Sequence, residues 1–371
     1  MSKNTTHSEP LIRLSKNDSV PMWKGWLIRI AAVVAAFIVC AFIIVSVTDL
    51  NPIEVYAAMI KGSFGSVRKF WILLQNIAML LCIALAVTPA YKMKFWNIGA
   101  EGQVLMGGIA TAACMIWFGD KMNPVLLIIL MAVVSCVAGA IWGLIPAVFK
   151  ANFNTNETLF TLMMNYVAMQ IASYCVCFWE NPKGSNSVGI INAQTQGGWL
   201  PTIGGQKYLL NILIVLFLTI FMYIYLKYSK HGYEISVVGE SENTARYLGI
   251  NVKKVILRTM ALSGAMCGIA GLLLVSGTNH TISSETTGGR GFTAIMVSWL
   301  AKFNPFVMIL TSFLIVFLDR GASEIATRFR LDESMADILT GIILFFIINS
   351  LFSLYRYIGC FPAWVQPGQD L

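Results

Sequence analysis

Charged residues are scarce in this chain. Of its 371 residues only 12% are Asp, Glu, Lys or Arg, whereas 57% are hydrophobic. A soluble globular domain carries about twice that share of charge. The apolar residues form long continuous blocks, as bilayer-spanning helices of about 20 residues require, and lack the short alternation typical of barrel strands. The composition predicts an all-α polytopic membrane protein.

Motifs of catalysis are also missing. The sequence contains no G-x-x-x-x-G-K-[ST] phosphate loop, no H-E-x-x-H motif and no G-x-S-x-G elbow. Its eight cysteines form no C-x-x-C pair and its three histidines are scattered, so neither a metal site nor a disulfide framework is indicated. We expect no catalytic residue, no metal and no cofactor. Transport remains, powered by an ion gradient or by a partner protein.

Apolar segments mark ten predicted spans. The first is interpreted as a retained helix, because the apolar core of a cleaved signal is shorter and nearer the start of the chain. We expect a tail over residues 1–25, a transmembrane domain over 26–356 and a second tail over 357–371. The segments are Trp26–Val47, Trp71–Ala90, Ile98–Trp117, Val125–Phe149, Leu159–Phe178, Leu209–Leu226, Val255–Val275, Phe292–Leu300, Phe306–Leu318 and Ile338–Leu354.

Two of these segments, Phe292–Leu300 and Phe306–Leu318, are too short to span alone. They flank Pro305, and proline removes a backbone donor and disfavours helix before it. The pattern predicts a broken or re-entrant helix pair, which a membrane protein tolerates only where protein or a water-filled cavity covers it.

The distribution of Lys and Arg predicts the orientation. If the N-terminus is cytoplasmic and all ten segments cross, 16 basic residues lie inside and 10 outside, in keeping with the positive-inside rule. Both termini are then cytoplasmic. The formal net charge of +8 is attributed to these basic cytoplasmic loops and not to binding of nucleic acid.

Polar residues at membrane depth are candidates for function. Glu101 lies between Gly99 and Gly102 at the start of the third segment. It either caps an interfacial helix or belongs to a broken helix that lines a solute path. Thr161 and Asn165 share one face of the fifth segment and indicate either helix–helix hydrogen bonding or a path lining. Gln75 and Asn76 pose the same choice.

The inner loop 227–254 contains a predicted short helix. Ser241 is a candidate N-cap and Gly249 a candidate stop signal, with Thr244, Ala245 and Leu248 giving an amphipathic pattern. A capped cytoplasmic helix is what a membrane subunit needs in order to dock on an ATPase.

Four strings, in order along the chain, resemble one family. N-I-G-A-E-G-Q at 97–103 resembles the signature of ABC-importer permeases for ribose-type sugars, branched-chain amino acids and nucleosides. Three further strings are similar to the nucleoside branch: N-E-T-L-F-T-L-M-M-N-Y-V-A at 156–168, G-E-S-E-N-T-A-R-Y-L-G-I at 239–250 and G-R-G-F-T-A-I-M-V-S-W-L-A-K-F-N-P at 289–305. The chain departs from the branch at two places: Ser241-Glu242 replaces the usual asparagine-containing pair, and Ser298-Trp299 replaces smaller apolar residues.

The resemblance implies a ten-helix permease subunit in the plasma membrane that imports nucleosides. It implies cytoplasmic ABC ATPase subunits, a second permease subunit in a heterodimer, and an extracellular substrate-binding lipoprotein as partners. The implied coupling residues are Gly239, Glu240, Asn243, Ala245, Arg246, Tyr247 and Gly249. The expected translocation path comprises Asn97, Glu101, Gln103, Asn156, Glu157, Asn165, Tyr166 and Phe292, with Trp96 and Phe160 as further stacking faces for a neutral nucleoside.

Three alternatives remain open at this point. A ribose-type sugar permease belongs to the same family, but the string at 156–168 argues against it. An ion-coupled secondary transporter predicts transport by the single chain without an ATPase. A structural scaffold leaves Glu101 and the broken helix unexplained.

Overall fold

The computed structural model describes residues 13–16, 22–47, 51–330 and 356–359, together with the helical residues 338, 341–342 and 345–346. Within those residues the chain is mainly helical. The helices are α1 (Met22–Val47), α2 (Pro52–Phe64), α3 (Val67–Lys92), α4 (Ala100–Phe118), α5 (Pro124–Phe153), α6 (Glu157–Trp179), α7 (Leu209–Tyr228), α8 (Lys230–Glu240), α9 (Glu242–Tyr247), α10 (Val252–Leu274), α11 (Arg290–Leu300) and α12 (Pro305–Phe329). One π-helical turn, Val275–Asn279, continues α10.

Seven helices of the described part are long and apolar enough to cross a bilayer, namely α3, α4, α5, α6, α7, α10 with its π-helical turn, and α12. The predicted α-helical membrane class is therefore confirmed. The first predicted span is also helical, in α1. The tenth, Ile338–Leu354, lies largely outside the described residues, so the count of ten spans stays a prediction.

Of the two segments predicted to be too short to span, one is in fact a long helix, and that prediction is wrong. Helix α12 runs for 25 residues, because Asp319 and Arg320 end the apolar run but do not end the helix. The other, α11, is short as predicted: its 11 residues give a length of about 16 Å, roughly half the thickness of a bilayer core.

Helix α8 is not anticipated by the sequence analysis, which treats residues 227–240 as loop. Ser229 caps it, since its Oγ accepts a hydrogen bond from the backbone N–H of Gly232 at 2.9 Å. The polar inner connection is thus a pair of short helices, α8 and α9, that precedes α10.

The chain divides into two compact units. In the unit formed by residues 63–317, α10 packs against α3, α4 and α5. These contacts depend on glycine: Gly139 of α5 and Gly107 of α4 both lie against the backbone of Gly268 in α10. Small residues let transmembrane helices approach closely and gain van der Waals contact where no hydrophobic force drives association.

The other unit comprises residues 1–62 and 318–371. Tyr56 of α2 packs edge-on against Phe37 of α1 and donates a hydrogen bond of 2.5 Å to its carbonyl oxygen. Two short strands, β1 (Arg13–Lys16) and β2 (Arg356–Gly359), pair antiparallel, with Arg13 opposite Gly359. This ribbon was not expected from the sequence.

Candidate translocation and coupling site

The segment between α3 and α4, residues 93–99, is a non-helical stretch inside the protein. Lys94 has a positive φ of 60°, and the Oδ1 of Asn97 accepts a hydrogen bond of 3.0 Å from the Gly99 N–H. The Asn97 Nδ2 donates to the Oγ of Ser263 at 3.4 Å. Ser263 lies about 16 Å from the start of α10 at 1.5 Å per residue. The segment therefore reaches towards the middle of the helix bundle, which favours the broken-helix alternative over an interfacial cap.

Side chains of α6 hold this segment in place. The Oδ1 of Asn165 accepts a hydrogen bond from the Gly102 N–H at 2.9 Å, and its Nδ2 donates to the Ile98 carbonyl at 2.9 Å. The Thr161 Oγ1 accepts from the Ile98 N–H at 3.2 Å. The first N–H groups of a helix have no partner within the helix. For the Gly102 N–H of α4, that partner is Asn165 of α6. Both side chains are buried, and they contact backbone rather than open space.

Two amides form a reciprocal pair beneath this turn. Gln103 Nε2 donates to Asn97 Oδ1 at 3.2 Å, while Asn97 Nδ2 faces Gln103 Oε1 at 3.4 Å. Both residues are buried. A buried polar network of this kind is stable only when its members are hydrogen-bonded, and the pair fixes the path of the chain into α4.

Glu101 joins the start of α4 to the start of α11. It is only 4% exposed, and its two carboxylate oxygens accept hydrogen bonds from the Gly289 N–H at 2.8 Å and the Gly291 N–H at 2.7 Å. A carboxylate at a helix N-terminus is favoured by the helix dipole as well as by these bonds. Gly291 is required here, since a Cβ on it would lie 2.6 Å from the carboxylate Oε2.

A second polar cluster, of which the sequence indicates only Gln75 and Asn76, lies in the same unit around the π-helical turn. Gln75 Nε2 donates to the Thr278 Oγ1 at 2.5 Å, and Asn211 Nδ2 donates to the same oxygen at 3.4 Å. The Arg290 Nη2 donates to the Asn76 Oδ1 at 3.3 Å. The π-helical turn that carries Thr278 gives no simple sequence signal, and such turns are frequent at functional sites.

The remaining predicted path residues do not join these clusters. Asn156 is the N-cap of α6, accepting from the N–H groups of Thr158 and Leu159, and Glu157 forms an ion pair of 2.8 Å with Lys150. Tyr166 is exposed on the other side of α6 from Asn165. Phe292 belongs to an exposed stripe on α11 that also contains Met296 and Trp299.

The predicted cytoplasmic helix is present as α9. The Ser241 Oγ accepts a hydrogen bond from the Thr244 N–H at 3.3 Å, and Gly249 follows the helix with a φ of 77°. Ala245 is buried, whereas Tyr247 is 92% exposed. The predicted cap and stop signal are confirmed, and the helix leaves its tip free to contact another protein.

The other predicted coupling residues divide between packing and exposure. Glu240 and Asn243 are exposed. Arg246 is exposed too and lies 3.4 Å from Glu242, four residues earlier on α9. Gly239 is buried at the end of α8, where a Cβ would overlap the Lys92 carbonyl oxygen at the end of α3.

A cavity of about 580 Å³ opens beside α9. Lys150, Arg246 and Lys253 contribute its cationic side chains; Lys150 pairs with Glu157 and Arg246 with Glu242, so the positive charge of Lys253 is in excess. Lys253 Nζ donates to the Asn152 Oδ1 at 3.5 Å. The surface around α9 is thus suited to an acidic protein partner.

His231 links α8 to α7. Its Nδ1 is hydrogen-bonded to the Tyr225 hydroxyl, and the two rings lie edge to face. Burial lowers the pKa of His231 below its usual value of 6.5, with Arg258 acting in the same direction and Glu234 opposing it. The neutral imidazole is therefore the form that packs between these helices at pH 7.

The connection between α6 and α7 is folded onto the end of α10 and its π-helical turn. Trp199 stacks on His280 with ring centroids 3.8 Å apart and donates through Nε1 to the Ile191 carbonyl at 2.9 Å. The Ser276 Oγ donates to the Gly198 carbonyl at 2.5 Å.

Three relatives are similar to most of this chain. The glucose ABC transporter permease protein of Haloferax volcanii is 26% identical over 93% of each chain. The guanosine ABC transporter permease protein of Bacillus subtilis is 28% identical over 83% of this chain and 89% of the relative. The nucleoside ABC transporter permease protein of Lactococcus lactis is 26% identical over 86% and 90%. No solved structure matches the chain significantly.

The family comparison covers residues 70–348 and matches the permease component of the branched-chain amino acid transport system. That range contains α4 with Glu101, the α6 residue Asn165 that is hydrogen-bonded to it, and the α8–α9 pair. Together with the apolar helices, it identifies a multi-pass protein of the plasma membrane. The chain belongs to the family of branched-chain amino acid transport system permease components.

Proposed function

We propose that this chain is the membrane-spanning subunit of an ABC importer that moves nucleosides into the cell. The observation that carries the proposal is the joining of α4 and α11 by Glu101 within a chain whose motifs are those of the nucleoside branch. Two relatives named for guanosine and nucleoside transport support the solute class.

The neutral character of nucleosides fits the polar groups in the interior. The Glu101 carboxylate is engaged by two backbone N–H groups, so its charge is compensated by the α11 N-terminus rather than offered to a solute. The buried amides of Asn97, Gln103 and Gln75 likewise carry no fixed charge, and they are hydrogen-bonded within the protein. The exposed stripe on α11 adds the apolar surface that a planar base requires.

The α8–α9 pair is the proposed point of energy input. The exposed Tyr247 tip and the basic surroundings of α9 would contact a cytoplasmic ATPase. Gly239 abuts the end of α3, so a displacement of α8 would move the chain that leads into the broken segment 93–99. ATP hydrolysis in the partner then changes access to the path, and this chain itself performs no catalysis.

The complete assembly contains more than this chain. We propose ten spans with both termini in the cytoplasm, a second and different permease subunit, two ATPase subunits and an extracellular binding lipoprotein. The pairing of β1 with β2 supports the topology, since it requires the two ends of the chain to lie on the same side of the membrane. The proposed boundaries stay at 26–356 for the membrane domain.

Uptake in whole cells tests the solute class. Cells that express the complete operon receive labelled guanosine, labelled ribose or labelled glucose, and a strain that lacks only this subunit serves as the control. We expect nucleoside uptake that disappears with the subunit. Unchanged guanosine uptake after the deletion would contradict the proposal.

The same experiment addresses a sugar substrate, the second candidate. The Haloferax volcanii relative named for glucose transport is as similar to this chain as the nucleoside relatives are. Subunit-dependent uptake of glucose or ribose, without uptake of any nucleoside, would transfer the function to sugars and leave the coupling scheme intact.

A further inference from the structure

Four aromatic side chains meet where α3 and α11 end, on the predicted inner side. The Trp96 and Trp299 rings stack with centroids 5.6 Å apart and an angle of 27° between their planes. Tyr91 lies edge-on to both rings, and Phe303 lies edge-on to Trp299. Each indole remains 47% exposed. One face of each ring is thus covered by the other ring, and the rest of the pair is accessible.

The turns that hold the two indoles are strained. Lys94, two residues before Trp96, has a φ of 60°, and Lys302 and Phe303, just after Trp299, have φ values of 50° and 61°. Side chains other than glycine rarely adopt positive φ. Such conformations cluster where a segment changes state or clamps a ligand. These positive φ values follow the C-caps Met93 of α3 and Ala301 of α11, so the two indoles are held where two helices end.

The pair is connected to the coupling helices. Gly239 of α8 packs against the Lys92 carbonyl, and a Cβ on it would lie 3.3 Å from the Met93 Cα. Lys92 also reaches the Leu226 carbonyl at the end of α7, at 3.4 Å. Because Met93 and Lys94 connect these contacts directly to Trp96, a movement of α8 displaces one indole of the stack relative to the other.

We propose, on the basis of the proposed nucleoside import, that Trp96 and Trp299 form an aromatic gate at the inner mouth of the path. In the resting state each indole covers the other. When α8 moves, the pair separates and the planar base of the solute stacks on the freed indole faces before it enters the cytoplasm. Base–aromatic stacking tolerates different bases, so the gate favours planar heterocycles over sugars.

The location of Trp299 strengthens this assignment. It follows Phe292 and Met296 at helical spacing on the exposed stripe of α11, the stripe that begins beside Glu101. Ser298, its neighbour, instead points into the protein and is hydrogen-bonded to the Thr88 hydroxyl at 3.0 Å. The two residues that depart from the family pattern therefore differ in role: Ser298 packs inside the protein, and Trp299 belongs to the gate.

Substitution of either indole tests the gate in the complete transporter. Leucine keeps an apolar side chain but has no aromatic face, and phenylalanine keeps the face. We expect Trp299→Leu and Trp96→Leu each to lower ATP-dependent guanosine uptake about tenfold, and Trp299→Phe to retain it within about twofold. Trp117→Leu is the matched control, because Trp117 is a similarly exposed indole far from this pair. Uptake by both leucine variants at the wild-type rate would overturn the gate.

A second measurement does not depend on the leucine variants being assembled. Brominated lipid quenches tryptophans that face the bilayer, and the fluorescence lost in Trp299→Phe reports Trp299 among the ten tryptophans of the chain. We expect this signal to resist quenching, unlike the signal lost in Trp117→Phe. Equal quenching of both would place Trp299 against lipid and overturn the gate. If the wild-type transporter takes up no nucleoside at all, the proposed function fails. If the wild type is active and the leucine variants take up guanosine at the same rate, only the gate is refuted.

Discussion

The carboxylate of Glu101 accepts a hydrogen bond of 2.7 Å from the backbone N–H of Gly291, 190 residues further along the chain. The other oxygen of the same carboxylate accepts a hydrogen bond from the Gly289 N–H. A single side chain therefore fixes where α11 begins relative to α4. Both helices start inside the protein. The junction thereby positions α11, whose exposed stripe of Phe292, Met296 and Trp299 lines the proposed path.

Replacing Glu101 tests the junction. Glu101→Gln keeps one acceptor oxygen but puts an amide N–H₂ against the second backbone N–H, leaving a buried donor without a partner. We expect the free energy of unfolding to fall by about 1–3 kcal/mol, measured as a lower thermal midpoint of the detergent-solubilised transporter. Glu54→Gln, at an exposed site, serves as control, and an equal loss in both variants would contradict the role assigned to Glu101.

Replacing Asn165 separates a structural role from a path lining. Asn165→Ala removes the partners of Gly102 and Ile98 in a buried place, and we expect a destabilisation of about 2–4 kcal/mol. Asn165→Asp retains the acceptor for Gly102 but turns a second oxygen towards the Ile98 carbonyl oxygen in a buried place, so we expect it to be at least as destabilising as Asn165→Ala. The control is Met163→Ala on the exposed side of α6. An Asn165→Ala transporter that melts like the wild type but takes up less solute would instead indicate direct contact with the solute.

Gly239 and Gly249 are required for different reasons. A side chain on Gly239 would collide with the Lys92 carbonyl, whereas Gly249 has open space around it and a φ of 77°. We expect Gly239→Ala to reduce uptake at least about tenfold through displaced α8. Gly249→Asn should retain most activity, because asparagine tolerates this backbone conformation. Equal uptake by Gly239→Ala and the wild type would show that α8 is not held against α3.

Arg246 tests the docking surface around α9. Arg246→Glu reverses a charge on an exposed helix beside a cavity with Lys150 and Lys253, and we expect weaker co-purification of the ATPase subunit, most strongly at low salt. Lys121→Glu, on the predicted outer side, is the charge-matched control. ATP-dependent transport that persists in Arg246→Glu with full ATPase association would count against docking at α9.

His231 gives the α8 packing a pH dependence. Its folded pKa is lowered by burial from 6.5, so the neutral form contributes stability that is fully present above the unfolded pKa. That contribution is lost as the pH falls below about 6.5 towards the folded pKa. We expect the difference in stability between the wild type and His231→Gln to shrink as the pH falls from 7.5 to 5.5. Thermal melting at pH intervals of about 0.5 measures it. A difference independent of pH would contradict the neutral packing of His231.

Local signals in the sequence predicted some parts well. The α9 helix was predicted because Ser241 and Gly249 mark its ends and act within a few residues. Gly99 and Gly102 leave two alternatives open for the start of α4, an interfacial cap and a broken helix, and the contacts of residues 93–99 favour the second. Helix α12 is longer than the predicted segment Phe306–Leu318, because the apolar run stops before the charged pair Asp319 and Arg320. A charged pair interrupts hydropathy but not the backbone hydrogen bonds that continue the helix to Phe329.

Relationships between distant residues could not be predicted in this way. The bonds from Gly289 and Gly291 to Glu101 depend on tertiary packing, and no periodicity reports them. Asn165 and Tyr166 are adjacent in one motif, yet one is buried against Gly102 and the other is exposed. The π-helical turn at Val275–Asn279 and helix α8 likewise follow from packing that sequence propensity does not capture.

Reconstitution of the complete transporter tests the account most directly. Liposomes containing this chain, its partner permease and the ATPase subunits, with ATP on the cytoplasmic side and binding protein outside, are given labelled guanosine. The account predicts accumulation that requires ATP and every subunit, and that stops when the ATPase is inactivated. Accumulation by this chain alone under a proton or sodium gradient, without ATP, would contradict it.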